Sequence, residues 1–86
     1  MLERKLIIQN ETGIHARPAG KIVKEACKYR STITFKKGEA SFNAKSIINL
    51  MSMAAAKGDE VVLIANGEDE EVAIKNMSQL ILNNLE

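Results

Sequence analysis

Gly13-Ile14-His15-Ala16-Arg17-Pro18 is the stretch on which the reading of this chain turns. It holds the only histidine and the only proline of 86 residues. Beyond it, Ala19, Ile22, Val23, Ala26 and Cys27 recur at i, i+3, i+4, i+7 and i+8, one face of a helix. Proline is tolerated in the first turn of a helix, where its missing N–H would have no intrahelical partner. His15 is therefore expected at the mouth of a helix N-terminus with Arg17 beside it. Free backbone N–H groups and the positive end of the dipole favour anions at such a place. Imidazole is a nucleophile that is largely neutral near pH 7. A nucleophile, a guanidinium and a helix start together suit a site that accepts a phosphoryl group.

Working outward, Glu3 to Gln9 reads as a strand with Leu6 and Ile8 on one side, and Asn10 to Gly13 as a polar turn. The first helix is expected from about Ala16 to Lys28. Thr32 to Phe35 and Ala40 to Asn43 alternate as strands around Lys37-Gly38-Glu39, which makes a hairpin. A short helix is expected from Ile47 to Met53, extending towards Ala56 with Gly58 as its stop. Ser46 precedes it as an N-cap. Glu60 to Ala65 carries five consecutive apolar residues, as a central strand would. Asn66-Gly67 turns the chain into a last helix from Asp69, with Ala73, Met77, Leu80 and Ile81 as its buried stripe. The order is β-α-β-β-α-β-α, an α+β arrangement with helices gathered on one face of a sheet. Which strands pair does not follow from the pattern.

Composition narrows the function. The length suits one domain with one core, and 3% aromatic residues make that core mainly aliphatic. A net charge of +1 gives no electrostatic footprint for nucleic acid. No apolar run spans a bilayer, and no signal-peptide pattern opens the chain, so neither membrane insertion nor export is expected. The location expected is cytoplasmic. A single Cys27 with a single histidine offers neither a disulfide nor a structural zinc site. Cys27, on the apolar face of the first helix, is expected to be buried and inert. No metal and no cofactor are implied.

Thr12 to Ala19 resembles the active-site segment of the HPr family, the histidine-containing phosphocarriers of the bacterial phosphotransferase system. Asn43-Ala44-Lys45-Ser46-Ile47-Ile48-Asn49-Leu50-Met51-Ser52 resembles that family's regulatory serine region. The length and order of elements fit along essentially the whole chain. The resemblance implies an open-faced β-sandwich, with a four-stranded antiparallel sheet covered on one face by three helices. It implies that His15 accepts a phosphoryl group from enzyme I, on the Nδ1 side, and passes it to sugar-specific IIA domains, with no small-molecule turnover of its own. Arg17 would stabilise the charged oxygens, aided by the N–H groups of Ala16 and Arg17. Pro18 would set the helix entry, and Thr12 would either bond the phosphate or stabilise the turn.

The resemblance further implies phosphorylation of Ser46 by HPr kinase/phosphorylase, with the phosphoserine form acting on catabolite control protein A. Ile47, Ile48 and Met51, with Gly20, would form a docking patch near His15, Ile47 and Met51 being partly exposed and Leu50 buried. Gly20 stands where the family usually has Ala or Thr, Ile48 where Met is common, and Asn49 where Gly is usual. A monomer is expected, since a carrier presents His15 to successive partners. Two other readings belong to the same family: a regulatory paralogue acting only through phosphoserine, and a carrier for a nitrogen-related branch. Regulatory paralogues typically lack the histidine, and this chain retains His15 and Arg17.

Overall fold

A computed structural model describes residues 1–85. Strand β1 (Leu2–Ile7) is followed by helix α1 (Ala16–Ala26), strands β2 (Thr32–Lys37) and β3 (Ala40–Asn43), helix α2 (Ile47–Met53), strand β4 (Glu60–Asn66) and helix α3 (Glu70–Asn83). The β-α-β-β-α-β-α order matches the sequence reading. The four strands form one antiparallel sheet in the order β1-β4-β2-β3. β4 is therefore central, as its apolar run suggests, and both of its neighbours are remote in sequence. It pairs Leu6 with Val61 on one side and Phe35 with Leu63 on the other.

Alternation along β4 separates the two faces. Val61, Leu63 and Ala65 are buried, whereas Val62 and Ile64 are half-buried. Leu6, Ile33 and Phe35 share the buried face, where the three helices deliver Ile22, Leu50 and Met77. This is an open-faced β-sandwich with a mainly aliphatic core, Phe35 being its one fully buried aromatic among the described residues. Helix α3 lies against β1 and β4, and α1 packs between α2 and α3.

Several boundaries differ from the sequence reading for identifiable reasons. Helix α1 ends at Ala26, and Cys27 is its C-cap, exposed and not buried. At 100° per residue Cys27 lies about 80° around the helix from Ala19, at the margin of the apolar stripe. The end of the helix leaves nothing to cover it. Strand β1 ends at Ile7, before Gln9. Ile8 nevertheless keeps the pairing going, donating its N–H to Asp59 O and accepting from Gly58 N–H.

Helix α2 stops at Met53. Ala54 takes a left-handed conformation with φ of 52° and serves as C-cap, so Gly58 is not the helix stop. For alanine this conformation costs roughly 1–2 kcal/mol. It is held by contacts outside the helix. The Lys37 amine donates to Met53 O and Ala54 O, and Ala55 O accepts from the Ile14 N–H. On α3, Leu80 is only partly buried, and Ser78 takes its place in the interior.

Candidate functional site

The loop before α1 is ordered by its own polar groups and by the exit of α2. The Asn10 amide donates to Gly13 O at 2.6 Å and the Gly13 N–H to Asn10 O at 3.1 Å. The Ile14 N–H reaches Ala55 O at 2.8 Å. Gly13 has φ of 65°, and a Cβ there would stand 2.5 Å from Ala55 O and 2.9 Å from Ala56 Cα. Only glycine meets both demands, backbone conformation and close approach. Ile14 is buried at the end of this loop, and His15 emerges beside it, exposed.

His15 is the N-cap of α1. Its backbone is extended and its carbonyl accepts the first intrahelical bond, from Ala19 N–H at 2.9 Å. Its imidazole makes no capping bond. The N–H groups of Ala16 and Arg17 lie in the first turn, where no intrahelical acceptor exists. Pro18, in the same turn, has no N–H to satisfy, and its ring is buried. Thr12, His15, Arg17 and Pro18 line one shallow depression of about 290 Å³. Thr12, Ala16 and Arg17 are exposed. Among the described residues no group of three or more His, Cys, Asp or Glu is placed to hold a metal ion.

Leu85 also lines this depression while being buried itself, and the sequence reading missed it. The signal was present. Ala73, Met77, Ile81 and Leu85 continue at i+4 spacing, so the apolar pattern runs two residues past the end of α3 at Asn83, to the edge of the histidine site.

The second candidate region is the start of α2. Ser46 is the N-cap, and its Oγ accepts from the Asn49 N–H at 3.2 Å. The Asn49 side chain is bonded twice, donating from Nδ2 to the same Ser46 Oγ and accepting at Oδ1 from the Asn43 N–H, each at 3.2 Å. The Lys45 amine is turned away from Ser46 and bonds Tyr29 O at 2.8 Å, near the C-terminal end of α1. Beyond the cap, Ile47, Ile48 and Met51 are 47%, 80% and 42% exposed, while Leu50 is fully buried. Three large apolar side chains on so short an exposed face form a patch and not a core stripe. These three side chains lie outside the depression at His15. Gly20 is half-buried on α1, with open space where a Cβ would be.

The third helix start is structural. The Asp69 carboxylate caps no N–H of its own helix. It instead accepts from the Ser31 hydroxyl and from the N–H groups of Arg30 and Ser31, tying the start of β2 to α3. The Ser31 hydroxyl contributes most to holding its pKa at about 2, and the Arg30 N–H adds to it.

The PTS-HPr family model, described as the PTS HPr component phosphorylation site, matches residues 2–83. The chain belongs to the HPr family. It is 41% identical over 81 residues to the HPr-like protein Crh of Bacillus subtilis, covering 94% of this chain and 95% of Crh. It is 40% identical over 83 residues to the phosphocarrier protein HPr of Mycoplasma capricolum, covering 96% of this chain and 93% of that protein. HPr of Thermoanaerobacter tengcongensis superposes with a TM-score of 0.95 at 44% identity, covering 99% of this chain and 96% of that one. A dimeric form of the same T. tengcongensis protein superposes less closely, at a TM-score of 0.79. HPr proteins are phosphocarriers of the phosphotransferase system, and the histidine-loop and serine-helix segments of this chain both fall within the matched residues.

Proposed function

We propose that this HPr-family chain accepts a phosphoryl group on His15 from phosphorylated enzyme I and passes it to sugar-specific IIA domains. The observation that carries this reading is the His15 imidazole, exposed and unused as a cap, in one depression with Arg17. A ring nitrogen, assigned here as Nδ1, attacks phosphorus in line as the bond to the donor protein breaks. Arg17 and the first-turn N–H groups of Ala16 and Arg17 face the spreading charge on the equatorial oxygens. Thr12 lies within reach of the same group, and Pro18 sets the helix entry. The phosphorylated nitrogen then leaves readily when the next acceptor attacks. A deep ground-state well would slow that second step, and a shallow depression with one guanidinium avoids it.

In this reading the protein is a carrier and not an enzyme, acts in the cytoplasm, and works as a monomer so that each partner reaches His15 in turn. Its residues 1–86 act as one carrier domain. The patch of Ile47, Ile48 and Met51, with Gly20 on the neighbouring helix, is the docking surface. Ser46, partly exposed at the edge of that patch, is the site at which HPr kinase/phosphorylase adds a regulatory phosphate read by catabolite control protein A. The likeness to Crh gives a second reading some support, that of a regulatory protein acting through Ser46 alone. The retained His15 and Arg17 weigh against it, and they fit a carrier for a nitrogen-related branch as well.

The deciding experiment mixes the protein with phosphoenolpyruvate, magnesium and enzyme I and measures intact mass. One acid-labile phosphoryl group mapping to His15 is expected. No label, with an enzyme I active on a known HPr, would replace the carrier reading with the regulatory one.

A further inference from the structure

A serine hydroxyl has two acceptor lone pairs and one proton to donate. At Ser46 both acceptor directions are in use. The Asn49 backbone N–H takes one, as the helix cap. The Asn49 side-chain Nδ2 takes the other at 3.2 Å. The orientation of that amide is determined by its other end. The Asn43 N–H is a donor and needs an oxygen, which places Oδ1 towards Asn43 and Nδ2 towards Ser46. Asn49 therefore bridges the end of β3 and the nucleophilic atom at the start of α2.

We infer that the Asn49 side chain is a latch on Ser46 that slows its phosphorylation. This rests on the reading of Ser46 as a modified residue. In the transfer, a lone pair of Ser46 Oγ forms the bond to the γ-phosphorus of a nucleoside triphosphate. The bond from that phosphorus to the bridging oxygen breaks, the diphosphate leaves, and a base of the kinase takes the hydroxyl proton. The attacking lone pair must be free. The backbone bond is held by the helix itself, so it is the side-chain amide that moves aside. Asn49 is half-buried, which lets its amide swing towards solvent, and its hold on Asn43 must break with it. Asn49 acts on Ser46 and is a positioning residue.

The test compares initial rates of phosphorylation for the full chain and for Asn49→Ala, using a purified HPr kinase/phosphorylase with ATP. Asn49→Ser is the second variant, its side chain being too short to span Ser46 and Asn43 together. Ser46→Ala identifies any label elsewhere. Loss of one hydrogen bond predicts a kcat about fivefold higher for both variants, with KM within about twofold. Unchanged kcat, with phosphate still mapping to Ser46, would overturn the latch and leave the reading of Ser46 standing. A change confined to KM would make Asn49 a docking contact and overturn the latch equally. No phosphate on Ser46 in any form, from a kinase active on another HPr, would remove the reading of Ser46 and the latch with it.

Discussion

The starts of α1 and α2 are built alike but capped differently. Each has an extended N-cap residue carrying a nucleophilic side chain, His15 in one and Ser46 in the other. His15 leaves capping to the backbone, so its ring is free and exposed. Ser46 gives its oxygen to the helix and to Asn49. A free nucleophile suits rapid reversible transfer. A bonded one suits a slower, enzyme-driven modification. The same local fold thus leaves one nucleophile out of the cap and ties the other into it, and the difference lies in which side-chain atoms the helix requires.

The largest expected effect sharpens this contrast. His15→Ala should reduce phosphoryl acceptance from enzyme I to background while leaving thermal stability unchanged, since the exposed ring makes no capping bond. Intact mass and a calorimetric melt check both halves. A fall in stability would mean that the two helix starts are less different than they look. Next, Arg17→Lys should slow transfer roughly tenfold, less than the roughly 10²–10³-fold expected when a charge-stabilising donor is lost outright. Lysine keeps the charge but not the planar fork, and rapid-quench kinetics would read the difference.

Ser46→Ala should invert the first result. Loss of the cap bond predicts about 1 kcal/mol of lost stability in urea unfolding, with acceptance at His15 unchanged within the error of the same mass assay. The smallest effect concerns the third helix start. Asp69 titrates at about 2 in the folded chain against an ordinary 3.8, so its contribution is complete above the ordinary value and is lost as pH falls towards 2. Asp69→Asn should flatten that part of the acid limb of the stability curve, as read by denaturation between these values. An unchanged limb would mean that other carboxylates carry the acid sensitivity.

The elements that carry the site were legible because their signals are local. The stripe from Ala19 to Ala26 and the cap at Ser46 need no distant partner to be recognised, and the histidine loop could be matched residue by residue. Strand pairing could not be read, because β4 meets β1 and β2 across long stretches of chain. The end of α2 at Met53 was legible, but its stop was assigned to Gly58 because Ala54 adopts a conformation that alanine disfavours, held by Lys37 and by the loop before His15. Cys27 was misplaced because a stripe does not reveal where its helix stops. Leu85 and the second bond of Asn49 were overlooked for another reason. Leu85 lines, and Asn49 bonds, a place that another residue marks.

The bond from the Ile14 N–H to Ala55 O, with Gly13 pressed against Ala56, has a kinetic consequence. The segment presenting His15 is anchored to the rest of the molecule on both sides, by α1 after it and by the exit of α2 before it. Its ordering entropy is spent when the chain folds and not when a partner arrives. Encounters at His15 should therefore resemble rigid-body collisions, with association rates set by diffusion and surface charge. Deuterium exchange should mark Ile14 as a protected amide within a surface loop.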